Sequence, residues 1–127
     1  MSTSNPYYSP ADHGLTVVGE ACDPIASYSF DIMVVWTDGK RLYYATDSGC
    51  SCPEPFEYLA TNDSLWLLES ALKSGLQPEV LAAVDDWAGA NVTNSAWVET
   101  ISRLKQHIRA WNPRRGTTPH SPLASSI

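Results

Sequence analysis

The stretch Tyr28–Tyr58, YSFDIMVVWTDGKRLYYATDSGCSCPEPFEY, decides the fold. Phe30, Ile32, Val34 and Trp36 alternate with Asp31, Met33, Val35 and Thr37, and β-branched and aromatic residues dominate the run, as in a strand of period two. Asp38-Gly39 follows at once and supplies the two positive-φ residues of a type I′ turn. The reading is a β-hairpin over about residues 30–46, with Lys40–Thr46 as the return strand. A two-residue loop sets Thr37 against Lys40, Val35 against Leu42, Val34 against Tyr43, Met33 against Tyr44 and Asp31 against Thr46.

Both faces of this hairpin are apolar. Phe30, Ile32, Val34, Trp36, Tyr43 and Ala45 share one, while Met33, Val35, Leu42 and Tyr44 share the other. A strand pair of this kind stays solvated on neither side, so helices are expected on one face and further chain or a partner on the other. Beyond Thr46, the segment Asp47-Ser48-Gly49-Cys50-Ser51-Cys52-Pro53-Glu54-Pro55 combines two prolines, a glycine and small polar residues, and reads as a stiff, shaped turn.

Upstream, residues 1–14 lack periodicity and are expected as a loose arm, with Tyr7 and Tyr8 available to tuck against the sheet. Leu15–Gly19 is a short strand candidate, and Glu20–Ser27, with Asp23-Pro24, reads as a connecting loop. Downstream the pattern turns helical. A first helix begins at Asn62, Asp63 or Ser64 and carries Leu65, Leu68 and Leu72 to a C-terminal Gly75. A second starts at Pro78, buries Val80, Leu81, Val84 and Trp87, and stops at Gly89. In the third, Trp97, Ile101, Leu104, Ile108 and Trp111 form one apolar stripe. Pro113 ends it, and the Pro-, Ser- and Thr-rich residues 113–127 are expected as a disordered tail. The fold class is therefore α+β, one domain over residues 15–112: a small antiparallel sheet centred on the hairpin and packed against three C-terminal helices.

The chain of 127 residues carries a net charge of −6, unevenly placed. Residues 1–60 hold eight of the fourteen acidic residues and two of the eight basic ones. An acidic sheet half disfavours nucleic acid, whose binding is driven by neutralising phosphates. No apolar run spans a membrane and the first residues lack the basic and apolar parts of a signal sequence, so a cytoplasmic protein is expected. Three cysteines, an odd number, fit reduced thiols there better than a disulfide framework.

Cys50-x-Cys52 is the least generic chemical feature. A structural zinc site wants four ligands from spaced pairs, and here Cys22 would have to be the third, with no fourth in a recognisable spacing. Thiolate catalysis at Cys50 or Cys52 is opposed by the nearby Asp47, Glu54 and Glu57. Asp31 and Asp47 fall together at one end of the hairpin, where paired carboxylates hold a cation or exchange protons, although Asp47-Ser48-Gly49 also suits an Asx turn. Asp85-Asp86 near the end of the second helix opposes the helix dipole and marks either solvated charge or a contact surface. The chain has no Gly-rich phosphate loop, serine elbow, His-Glu-x-x-His or dinucleotide fingerprint, so no catalytic residue is assigned.

From Tyr28 to Phe56 the residues YSFDIMVVW and DGKRLYYATDSGCSCPEPF resemble a small uncharacterised family of actinobacteria and their bacteriophages. The resemblance covers about a quarter of the chain. It implies a small, phage-encoded, cytosolic accessory protein and directs attention to the Asp47–Pro53 turn. The function expected is non-enzymatic binding of a protein partner, a host protein or a second copy. The sheet and the cysteine turn would supply the surface, through Asp31, Trp36, Tyr43, Asp47, Cys50, Cys52 and Phe56. No cofactor is expected. The alternative is a zinc-stabilised module, or a thiol- or metal-dependent enzyme, centred on the same turn, with Cys22, Cys50 and Cys52 as ligands.

Overall fold

A computed structural model describes residues 3–23, 29–50, 55–92 and 95–112. Four antiparallel strands, β1 (Thr16–Cys22), β2 (Ser29–Thr37), β3 (Leu42–Cys50) and β4 (Lys73–Gly75), lie side by side in chain order. With them stand a short α1 (Ser64–Trp66), α2 (Gln77–Asn91) and α3 (Ser95–Ala110), so the architecture is α+β. The β2–β3 hairpin is at the centre of the sheet, as its doubly apolar sequence requires.

The hairpin differs from the sequence reading in its loop. Thr37 pairs with Leu42, not Lys40, so four residues make the turn and the ladder pairs Val35 with Tyr44, Val34 with Ala45 and Met33 with Thr46. The cause is side-chain chemistry. Asp38 Oδ1 accepts from the amides of Lys40 and Arg41 at 2.9 and 3.1 Å, and Asp38 Oδ2 accepts from the Tyr43 hydroxyl at 3.0 Å. Thr37 Oγ1 accepts from Gly39 N and donates to Arg41 O, both at 2.9 Å. These bonds satisfy the backbone of a wider loop. Because the register moves by two residues, every side chain keeps the face expected of it. β3 also runs four residues further than expected, because Asp47–Cys50 find ladder partners from Ile32 back to Ser29. β1 likewise continues past Gly19 to Cys22, with a bulge between Val17 and Gly19.

The two faces carry two cores. Met33, Val35 and Leu42 meet Val18 and Ala21 of β1, Val80 and Val84 of α2, and the buried stripe Trp97, Ile101, Leu104, Ile108 and Trp111 of α3 and the residue after it. Ile32, Val34, Trp36, Tyr43 and Ala45 meet Leu15, Phe56, Leu59, Leu67 and Leu72. Helices therefore cover one face and the protein's own irregular chain the other.

Residues 3–14, expected as a loose arm, are bonded to that second layer. Ser4 and Thr61 exchange backbone hydrogen bonds at 3.2 and 3.1 Å, Asn5 Nδ2 donates to Pro55 O at 3.0 Å, and the buried Trp36 indole donates to Pro6 O at 3.1 Å. An arm that satisfies a core tryptophan is part of the fold.

The first expected helix, ending at Gly75, is instead one α turn that widens into a π turn over Leu67–Ala71. Leu72 N donates to Leu67 O at 2.9 Å, and the backbone at Leu72 is already extended, because Lys73–Gly75 pair with Leu42–Tyr44 of β3. α2 passes Gly89 to end at Asn91, since an interior glycine weakens a helix without ending it. The amide of Gln77 at its start donates to Ile108 O and Arg109 O at 2.9 and 3.1 Å, and also to Trp111 O, so one side chain caps the end of α3.

Candidate functional site

The residues singled out in the sequence do not gather at one surface. Trp36 and Phe56 are fully buried and Tyr43 is 6% exposed, all within the second core. Their aromatic area is spent on folding. Asp31 pairs with Ser48, and Asp47 with Ile32, so the two carboxylates point to opposite faces and form no acid pair. Asp47 acts on the backbone instead, its Oδ2 accepting from Phe56 N at 2.7 Å and its Oδ1 from Ser48 N at 2.9 Å. The bond to Phe56 helps hold that residue at φ 62°, the left-handed backbone a bulky side chain seldom adopts. Cys50 closes β3, and Cys52 with most of its turn lies outside the described residues. Cys22 is a half-buried free thiol on β1, and burial, then Glu20 and Asp23, push its pKa up, against thiolate formation. Among the described residues no three His, Cys, Asp or Glu side chains cluster as metal ligands.

A different set of residues does converge. β4 pairs only with Leu42–Tyr44, so among the described residues β3 continues from Ala45 to Cys50 with no strand on its outer side. Beside it lies a groove of about 490 Å³. Met33, Tyr44 and Thr46 form its floor, Asp86, Trp87, Ala90 and Asn91 of α2 one wall, and Tyr58, Ala71 and Lys73 the other. A smaller hollow of about 340 Å³ continues it over Asp31, Asp47 and Ser48, sharing Thr46, Tyr58, Trp87 and Asn91, so both sequence-chosen acids border it although they stand on opposite faces of the ladder. Tyr58 is 57% exposed, and its hydroxyl donates to Thr46 O at 2.9 Å, which stands the ring over the β3 edge.

Local sequence places each part. Trp87 is one turn beyond Val84, so its ring packs edge-on against Trp97, with centroids 5.8 Å apart, and leaves its remainder to the groove. Asn91 Nδ2 donates to Trp87 O at 2.8 Å, so the last turn of α2 presents a side-chain amide beside that ring. Asp85 faces α3 and pairs with Lys105 at 2.6 Å, whereas Asp86, one residue on, lines the groove. Among the described residues neither Asp31 nor Asp86 makes a salt bridge. With the carbonyl end of α2 close by, that end of the groove favours positive charge. The one sequence signal for this wall was the dipole-opposing Asp85-Asp86; Tyr58 and Asn91 gave none.

No helix of the described residues is long and apolar enough to cross a membrane. A family model described as a domain of unknown function (DUF7574) matches residues 4–111. No curated protein and no solved structure matches the chain.

Proposed function

The chain belongs to this family of unknown function, and from that premise we propose that the domain is a protein-binding module of the groove between β3 and α2. The partner is an extended segment that adds to the outer edge of β3 and lays a Lys or Arg side chain towards Asp31 and Asp86. One observation carries the reading: β4 covers three residues of a nine-residue strand and leaves the rest of its edge without a strand partner beside an aromatic groove. Among the described residues only side chains, the Tyr58 hydroxyl on Thr46 O and Asp47 Oδ1 on Ser48 N, stand in for such a partner and would be displaced by the segment. An open edge supplies main-chain hydrogen bonds and pockets beside it supply side-chain selection. Tyr58 and Trp87 are the residue types that dominate binding energy. The resemblance to actinobacterial and phage proteins adds context: an accessory protein in the host cytoplasm, acting on a host protein or on a second copy of itself.

A random decapeptide library, panned against the intact protein and against the Trp87→Ala and Asp86→Lys variants, tests this. Enrichment of strand-forming sequences with one Lys or Arg is expected. Affinity should fall about 30-fold in Trp87→Ala, the loss of about 2 kcal/mol typical of a buried aromatic anchor. Enrichment equal in all three proteins would overturn the assignment.

A further inference from the structure

The arm carries a buried histidine beside a serine, in a hollow that shares no lining residue with the groove. His13 ends the 3₁₀ turn Pro10–His13 and is 5% exposed. Its Nε2 lies 3.1 Å from the carbonyl oxygen of Ser4, which can only accept, so Nε2 carries the proton. In the neutral ring Nδ1 is then a bare lone pair. Ser64 Oγ lies 2.6 Å from it, so the serine hydroxyl donates.

A serine hydroxyl polarised by an imidazole, with the tautomer held by a third group, is the arrangement acyl transfer uses. Here the carbonyl of Ser4 takes the orienting place of a carboxylate. Asp63 secures the nucleophile's backbone, since its Oδ1 accepts from Trp66 N at 3.0 Å and starts α1 at Ser64. Ser64 is half-buried and borders a hollow of about 480 Å³ lined by Thr3, Asn5, Ser9, Thr61 and Asn62 and by the Asp12 carboxylate, which accepts from Ser4 Oγ at 2.8 Å. A histidine serving only to pin the arm needs no such space at the hydroxyl. The polar lining selects a small polar ester over a lipid.

We propose that Ser64 and His13 are a nucleophile and general base that hydrolyse small, polar activated esters. Ser64 Oγ bonds to the ester carbonyl carbon as its proton passes to His13 Nδ1. The bond to the leaving oxygen then breaks, and that oxygen takes the proton from Nδ1. Water, losing a proton to Nδ1, attacks the acyl-serine; the acid departs, and Ser64 Oγ recovers the proton. No oxidation or reduction occurs. The activity is independent of the groove.

The test treats the full chain with a small alkyl fluorophosphonate, which phosphonylates an activated serine with loss of fluoride. One adduct per chain, mapped by peptide mass spectrometry to Ser64, is expected. His13→Asn, which keeps an acceptor for the serine but no base, should label at least about 100-fold more slowly. Ser64→Ala should not label at all. Absence of an adduct at Ser64 in the unmodified protein overturns the proposal without recourse to any variant. So does labelling of His13→Asn at the full rate.

Discussion

The indole Nε1 of Trp36 donates to the carbonyl oxygen of Pro6 across 3.1 Å, joining the middle of the sheet to the N-terminal arm. Both residues are buried, so neither group has water to fall back on. Trp36→Phe keeps a ring in the core but orphans the Pro6 carbonyl, and should cost about 1–3 kcal/mol in urea unfolding. Hydrogen exchange at the Ser4 and Thr61 amides should rise in the same variant. Unchanged exchange would mean that Asn5 and His13 hold the arm by themselves.

Gln77 joins the start of α2 to the end of α3. Its side-chain amide donates to the carbonyls of Ile108 and Arg109 in the last turn of α3 and of Trp111 just beyond it. Gln77→Ala is expected to lower stability by about 1–2 kcal/mol with the denaturant slope unchanged, since the surface exposed on unfolding stays the same.

Asp38 makes the hairpin loop sensitive to acid. Partial burial alone would raise its carboxyl pKa, but hydrogen bonds from the Lys40 and Arg41 amides and the Tyr43 hydroxyl outweigh it, and the pKa lies below the ordinary value of 3.8. A depressed folded-state pKa contributes stability that is full above the unfolded value and lost as pH falls through the folded one. Unfolding followed from about pH 5 downward should therefore show a decline that Asp38→Asn removes, because the amide cannot titrate. An equal decline in the variant would assign the acid sensitivity elsewhere.

Gly19 sits where α3 approaches the sheet closely. A Cβ there would stand 3.1 Å from Leu104 Cδ1 and 3.4 Å from His107 Cβ, and Leu104 is itself buried. Gly19→Val should push α3 off β1 and cost about 1–3 kcal/mol, the usual range for overpacking a filled core. Calorimetry would detect this as a lowered midpoint.

Much of the architecture was legible because it rests on periodicity. Trp97, Ile101, Leu104, Ile108 and Trp111 share one side of any helix drawn through them, and all five are buried against the sheet. The alternation in β2 likewise required cover on both sides. The candidate groove was scarcely legible, because Tyr44, Tyr58 and Trp87 come from three separated elements and meet only where β4 stops short. The aromatic residues chosen from the sequence, Trp36, Tyr43 and Phe56, are apolar enough for an interface and equally apt for a core, and composition does not separate the two.

Local order in this chain dictates what each residue faces: period-two alternation sets the sheet's two sides, and the three-and-four spacing sets the buried stripe of α3. Hydrogen bonding across the fold dictates the rest. Asp38 and Thr37 chose a four-residue loop, β3 kept pairing through a stretch that reads as a turn, and edge pairing of Lys73–Gly75 ended a helix in mid-pattern. Side-chain direction follows from the geometry of neighbouring residues, whereas the partner of a backbone amide depends on which distant segment arrives beside it.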